Sequence, residues 1–395
     1  MKSLPLYLLF LPLAVCLPAL PVLGQEDEAK SKPDSVEAEA KPVEEAPPGY
    51  DFTIEKEIGR TGVKNQGSTG TCWCFATASF IESEIMRMGK GEHDLSEMFI
   101  VRNIYQDKAH NYIMRQGKAN FGEGALAHDF MRAASRHGMV PNTVYTGLDE
   151  GATGHNHGEM VKVLEGVVKG LAEQKKLSDK WPHALDGVMD VYLGSAPTEF
   201  SYQGKTYTPV TFAREMGFDA KNYVNLTSYT HHPFGESFAL EIPDNFSSGQ
   251  FQNMPIDDLV AAIDNAIAQG YTVAWDGDIS ERGFSRTNGL AIVPKDPNRR
   301  DVFKVRGDEL DVDQEMRQST FGSRSTTDDH LMHLVGTARD ADGKKYYLIK
   351  NSWGDTGKHN GYLYMSEPYL RLKTVAVLMH KDALPSKADE TKPKT

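Results

Sequence analysis

The spacing of apolar residues changes along the chain, from a helical period to a strand period. Up to about residue 270, apolar residues recur at the three- to four-residue spacing of amphipathic helices, which predicts helices at 72–88, 125–137, 161–171 and 256–267. In the last third the pattern predicts strands at 271–275, 331–337, 346–350, 361–365 and 374–379, with a hairpin turn at Asp342-Gly343. Helices followed by antiparallel strands predict an α+β fold with two facing lobes.

The first 24 residues have the pattern of an export signal. Lys2 gives a positive start, residues 4–17 are mostly apolar, and Val22-Leu23-Gly24 offers small residues for cleavage. We therefore expect a mature chain that begins at Gln25, is secreted or periplasmic, and has no membrane contact after cleavage. A membrane anchor is the alternative, although the apolar stretch is short and broken by prolines. Lipidation at Cys16 is left open.

Residues 25–50 and 385–395 differ in composition from the rest of the chain. The first segment holds eight acidic and three basic side chains with several Pro and Ala, too polar to bury a core. We expect disordered segments there, flanking one globular region at 51–384.

Net charge and cysteine content exclude some classes of function and structure. Lys+Arg 43 against Asp+Glu 55 gives a net charge of -12, which repels phosphate backbones and excludes nucleic acid as an expected partner. Once Cys16 leaves with the signal, only Cys72 and Cys74 remain, so no disulfide framework can form.

Cys72 stands where the Gly/Ser/Thr-rich loop 67–71 runs into a predicted helix. The free N–H groups and dipole of a helix start favour a negative sulfur, which is a strong nucleophile. Two alternatives remain at this point: a buried cysteine that fills the core, and thiol-disulfide exchange between Cys72 and Cys74.

Three sequence blocks resemble those of papain-like cysteine peptidases. They are Gln66-Gly-Ser-Thr-Gly-Thr-Cys72-Trp73, Asp329-His330-Leu-Met-His333-Leu-Val-Gly336 and Asn351-Ser-Trp353-Gly354. The resemblance implies that Cys72 is the nucleophile, His330 the base and Asn351 the residue that orients it. It also implies that the Gln66 amide and the Cys72 backbone N–H form the oxyanion hole. Thr69 and Thr71 depart from the common Cys and Ser or Ala at those places.

His333 is the competing base. Only His330 has the six-residue step to Gly336 that the family shows, and His333 falls on the opposite strand face, where we expect a local hydrogen bond. Trp353 is expected to shield the bond between His330 and Asn351 from water.

The spacing of the blocks favours one branch of the family. His330 follows Cys72 by 258 residues, beyond the roughly 130 to 150 of the compact papain type. Stretches within that interval resemble bleomycin hydrolase and aminopeptidase C: Thr208 to Glu215, Met254 to Asp257, Val273 to Trp275 and Thr320 to Gly322. The resemblance implies a papain-like two-lobe domain at 51–384 with a helical insertion at about 145–250.

Gly122-Glu123-Gly124-Ala125 resembles the glycine pair that binds the substrate backbone in this family. We predict Gly122, Gly124, Ala125, Trp73 and Trp353 as substrate-binding residues. Helix capping is the alternative for the glycines.

Two departures bear on activity. The branch is typically intracellular, and the residues after Met379 do not resemble its C-terminal arm, which restricts cleavage to free N-termini. We predict an exported cysteine peptidase acting on peptides or proteins, aminopeptidase-like, with an endopeptidase or a catalytically silent peptide-binding protein as alternatives. The subunit number, including a homo-oligomer, is left open.

No metal or cofactor is expected. The histidine pairs His155/His157 and His231/His232 lack the spacing of a zinc site, and Asp276-Gly277-Asp278 is far short of a calcium loop.

Overall fold

A computed structural model of the chain describes residues 49–148 and 151–385. The predicted signal peptide, nearly all of the acidic segment 25–50 and residues 386–395 of the predicted tail lie outside the described residues. Their boundaries therefore stay predictions.

The described residues form nine α-helices and two short 3-10 helices. The helices are α1 Cys72–Arg87, α2 Glu97–Met114, α3 Ala127–His137, α4 Gly158–Ala172, α5 Trp181–Leu193, α6 Pro209–Glu215, α7 Ile256–Gln269, α8 Gln314–Gly322 and α9 Glu367–Lys373. α3 and α7 end at Gly138 and Gly270, as the sequence predicts; both glycines have positive φ, which L side chains rarely adopt.

Thirteen strands lie in the same two ranges. They are β1 Phe52–Glu57, β2 Phe200–Tyr202, β3 Lys205–Tyr207, β4 Tyr223–Thr227, β5 Ser237–Ala239, β6 Gln250–Asn253, β7 Val273–Gly277, β8 Phe284–Ser285, β9 Leu290–Ala291, β10 His330–Asp340, β11 Lys345–Lys350, β12 Tyr362–Ser366 and β13 Thr374–His380. All five strands predicted in the last third are present within a few residues.

Eleven strands join one sheet in the order β5-β6-β4-β13-β7-β10-β11-β12-β9-β8, with β1 also paired to β10. The expected sheet was antiparallel, but β4 pairs with β6 and β9 with β12 in parallel. The five predicted strands pair antiparallel with one another, and the parallel pairs arise because short strands from earlier in the chain extend the sheet at both edges. β2 and β3 form a separate hairpin.

The sheet separates two cores. Helices α1, α2 and α3 pack on one face, against side chains such as Ala274, Leu331 and Leu378. Helices α7 and α9 cover the other face around Trp275 and Met332. All residues of α1 from Trp73 to Ile85 are buried, including the acids Glu82 and Glu84, so the helix lies between other elements. Its packing brings the first residue, Cys72, to the beginning of β10.

Gly336 shows why one residue of the His block must be glycine. β1 pairs with β10 here, and a Cβ on Gly336 would lie 2.2 Å from the Lys56 carbonyl oxygen. Any side chain would force the two strands apart.

In the described part of the chain no helix combines the length and apolar character needed to cross a membrane.

Candidate active site

Cys72 is the first residue of α1 and is partly exposed. Its N–H is one of the first N–H groups of the helix, which have no carbonyl partner within the helix. The backbone N–H of Leu331 lies close enough to the sulfur to lower its pKa by hydrogen bonding. The structure therefore brings Cys72 to the His330-Leu331 start of β10, as the sequence predicts.

His330 and Asn351 form a buried pair. The imidazole Nε2 lies 2.8 Å from the side-chain oxygen Oδ1 of Asn351. The same oxygen accepts the backbone N–H of Ser352 at 2.7 Å. Since Oδ1 can only accept, Nε2 carries the proton and Nδ1 is left as the basic nitrogen.

Trp353 covers this pair. Its ring lies over the His330 imidazole with centroids 4.5 Å apart and planes inclined by 24°. The backbone of Trp353 forms a β-bridge with Asn65, one residue before Gln66. The Asn block and the Gln-to-Cys loop are thus joined through the main chain.

Gln66 is buried and fixed at both ends of its amide. Oε1 accepts the Ser352 hydroxyl at 2.7 Å, and Nε2 donates to the Thr69 carbonyl at 2.7 Å. An amide nitrogen has two N–H groups, so one remains for a ligand. Ser352 was not among the predicted site residues, although it stands inside the Asn block that signalled Asn351.

Burial sets the ionisation of the two reactive groups. It raises the pKa of the Cys72 thiol to about 12, against the Leu331 N–H, while the charges of Asp328 and Asp276 raise it further. Burial also lowers the pKa of His330 to about 4, against the Asn351 hydrogen bond. Burial thus opposes charge on both groups, whereas the helix start alone favours a negative sulfur.

The predicted substrate loop lies beside Cys72. The carboxylate of Glu123 accepts the Gly70 N–H at 2.6 Å, which holds this loop against the residues before Cys72. Gly122 has open space where a Cβ would stand. At Gly124 a Cβ would lie 1.8 Å from a carboxylate oxygen of Asp244, so a larger residue would displace the Asp244 side chain.

Two predicted substrate-binding residues are buried. Trp73 has no exposed surface, and its indole N–H donates to the Glu123 carbonyl at 3.0 Å. Ala125 is also buried. Both side chains support the loop from below and leave no surface for a substrate, so their assignment as contact residues is wrong.

The competing histidine and cysteine have other partners. His333 is fully buried, with Nδ1 2.8 Å from the Ser79 hydroxyl of α1. Cys74 is also buried and points its sulfur at the Glu97 carbonyl, 3.3 Å away.

Sequence reasoning missed a pair of carboxylates next to the reactive groups. Asp276 of β7 stands opposite Leu331 in the ladder, and Asp328 precedes His330 by two residues. Asp276 was considered only with Gly277 and Asp278 as a calcium loop. The signal that could have found Asp328 is the double acid Asp328-Asp329 directly before the histidine.

His231 and His232 are joined by Glu241. One ligand atom from each of the three lies within 4.8 Å of the others, and both imidazoles hydrogen-bond the carboxylate. His157 instead faces the Tyr105 hydroxyl at 3.1 Å.

Comparison with known proteins identifies the family. The model of the Peptidase C1-like family matches residues 195–394, half of the chain, and the model of the papain family cysteine proteases matches residues 46–165. The chain belongs to the Peptidase C1-like family. It is a cysteine-type peptidase with a papain-like fold, of the branch that contains aminopeptidase C and bleomycin hydrolase.

Relatives cover most of the chain at low identity. Aminopeptidase E of Lactobacillus helveticus is 24% identical, over 85% of this chain and 84% of its own. Human bleomycin hydrolase is 22% identical, over 82% and 81%. Among solved structures, pepw of Lactobacillus rhamnosis superposes with a TM-score of 0.69 at 18% identity, over 86% of this chain and 84% of the other.

Proposed function

We propose that the protein removes N-terminal residues from peptides through Cys72, His330 and Asn351. The observation that carries the proposal is the hydrogen bond between His330 Nε2 and Asn351 Oδ1, at the end of β10 that meets Cys72. This bond leaves the basic Nδ1 free for the thiol proton. A protein that only binds peptides needs no such fixed tautomer.

The chemistry follows from these positions. His330 Nδ1 takes the proton of the Cys72 thiol as the sulfur attacks the peptide carbonyl carbon. The resulting imidazolium then gives a proton to the leaving amine, and the C–N bond breaks to leave a thioester on Cys72. Water, deprotonated by His330, hydrolyses the thioester and restores the thiol.

Gln66 and the Cys72 backbone N–H are placed to bind the oxyanion. Because Ser352 holds the amide oxygen, the nitrogen of Gln66 is turned toward the Cys72 loop. Fixed donors of this kind stabilise charge that develops only in the transition state.

The aminopeptidase assignment rests on the relatives named aminopeptidase E and aminopeptidase C. An endopeptidase of the same fold is the second candidate, since the sequence after Met379 does not resemble the branch's C-terminal arm. Peptides with free and acetylated N-termini, offered to wild type and Cys72→Ala, separate the candidates. We expect wild type to cleave the free peptides and Cys72→Ala to cleave neither. Equal cleavage of acetylated peptides would show an endopeptidase, and turnover by Cys72→Ala would contradict the site.

We also propose that the protein acts outside the cytoplasm, on the basis of the signal pattern in residues 1–24. N-terminal sequencing of the protein from the expressing host's exported fraction should start at Gln25. Recovery of the chain only inside cells, with Met1 intact, would contradict export.

A further inference from the structure

A chain of contacts leads from the Cys72 sulfur to two buried carboxylates. The Leu331 N–H lies at the sulfur, and Asp276 stands directly opposite Leu331 in the antiparallel pair of β7 and β10. Opposite residues of such a pair lie about 4.5 to 5.5 Å apart at Cα and project to the same face of the sheet. Leu331 faces the helical core, so the Asp276 side chain also points toward the helical lobe.

Asp276 is buried without a partner. It is 4% exposed, and neither carboxylate oxygen has a hydrogen-bond donor among the residues that the structure describes. One oxygen of Asp328 is in the same situation within those residues. A carboxylate deprived of water and of donors is costly to bury, and a proton shared between Asp276 and Asp328 satisfies only part of their hydrogen-bonding capacity.

The surroundings carry excess negative charge. Asp244 and Asp328 both act on this region, and the two carboxyls of Asp276 and Asp328 lie within hydrogen-bond reach when one is protonated. Burial, followed by this mutual repulsion, raises the pKa of Asp276. The nearby cation, Lys108, donates to the Gly124 carbonyl and, within the described ranges, forms no ion pair with these acids.

The walls of the space beside Asp276 are mostly apolar, with His128 and Asn225 as polar lining residues. Leu126 and Ala127 at the start of α3, with Ala274 and Leu331 of the sheet, line a small cleft with it. Asp328 is partly exposed, so a ligand reaches the pair through Asp328, while both carboxylate oxygens of Asp276 are buried. A cation in such a site would gain more from two carboxylates than it would in water.

We propose that Asp276 and Asp328 bind the α-ammonium group of the substrate's N-terminal residue and thereby select peptides with a free N-terminus. This proposal rests on the proposed peptidase function and adds the residues that determine its specificity. The bound ammonium would also offset the negative charge of the pair, which acts on the Cys72 sulfur.

The test compares wild type with Asp276→Asn and Asp328→Asn, which remove charge at constant shape. Asp311→Asn, an exposed acid, is the matched control for net charge. The substrates are alanyl-aminomethylcoumarin, its N-acetyl form, and the blocked dipeptides acetyl-Arg-Ala and acetyl-Leu-Ala on the same fluorophore.

We expect wild type to prefer the free alanyl substrate, and each Asn variant to lose about thirtyfold in kcat/KM on it, mainly through KM. Both Asn variants should therefore lose the preference for the free over the acetylated alanyl substrate, whereas Asp311→Asn should keep it. A cooperative urea-unfolding transition shows that each variant is folded.

Unchanged preference for free N-termini in both Asn variants would overturn the proposal while leaving the peptidase intact. Selective loss of acetyl-Arg-Ala cleavage would also overturn it, because the pocket would then bind a basic side chain. Absence of peptide cleavage by wild type would contradict the proposed function itself.

Discussion

The indole of Trp353 lies over the imidazole of His330, with the ring centroids 4.5 Å apart. Its position keeps water from the hydrogen bond between His330 and Asn351. In a water-poor site this bond holds the imidazole in one tautomer more strongly than it would in solution.

Trp353→Ala should therefore reduce kcat about tenfold, equivalent to about 1.4 kcal/mol of transition-state stabilisation. Trp353→Phe, which keeps an aromatic face, should retain most of the activity. Steady-state kinetics measure both. If Ala and Phe are equally active, Trp353 does not protect the pair.

Removal of the two histidines of β10 should have different effects, one on catalysis and the other on stability. His330→Ala should lose about a hundredfold to ten-thousandfold in kcat, because the general base and acid is gone. His333→Ala loses the bond to Ser79 and should lower the free energy of unfolding by about 1 to 3 kcal/mol with kcat retained. Kinetics and urea unfolding of both variants separate the roles, and a reversed pattern would move the base to His333.

Lys64 is expected to hold the Gln66 loop in place. Its ammonium contacts the carboxylates of Glu82, Asp94 and Glu97, and its carbonyl accepts the Gly354 N–H. Lys64→Met would leave buried Glu82 and Glu97 without their cation, so we expect a loss of about 3 to 5 kcal/mol in unfolding free energy.

Lys162→Met is the matched control, because the partner of Lys162 is the surface residue Glu165. Thermal unfolding should show no change for this variant. Equal melting temperatures for wild type and Lys64→Met would contradict the role of Lys64.

Asp328 should make stability depend on pH. Burial and the charge of Asp244 raise its pKa to about 7. The charge of Asp329 also raises this pKa, whereas the hydrogen bond with Asp276 and the charge of Lys108 lower it. The folded state thus binds the proton more tightly than the unfolded state, whose carboxyl titrates near 4. The contribution of this group to stability falls as pH rises from about 4 to about 7.

The contribution of His330 to stability changes with pH in the opposite direction. Its pKa is lowered to about 4 in the folded state, so this contribution rises as the pH increases from about 4 to about 6.5, the pKa of an unfolded histidine. The useful measurement is therefore the difference in unfolding free energy between Asp328→Asn and wild type. We expect the variant to gain stability relative to wild type as pH rises from 4 to 7. A difference that does not vary with pH would contradict the buried acid pair.

Local patterns predicted most of what positions the candidate site. The helix that starts at Cys72 and the strand that carries His330 have strong periodicity, and the Asn351 block follows at a fixed step. β1 was not predicted, since most of its residues are exposed and its stability comes from pairing with β10. Such pairing is a long-range contact that local propensity does not contain.

The acid pair could not be predicted for a related reason. Asp276 and Asp328 are 52 residues apart, and an aspartate in a sequence indicates exposed surface unless the fold buries it. The register of β7 against β10 places Asp276 opposite Leu331, which follows Asp328 by three residues. The burial of Trp73 likewise depends on how α1 packs against α2 and α3, and not on its position next to Cys72.

The most direct test of the account is the site and rate of labelling by an irreversible epoxysuccinyl thiol inhibitor. Fragment-ion mass spectrometry can distinguish Cys72 from Cys74, because Trp73 separates them. We predict one inhibitor per chain, bound to Cys72, with labelling strongly slowed in His330→Ala and unchanged in Cys74→Ala. An adduct on Cys74, or labelling of Cys72 at the same rate without His330, would contradict it.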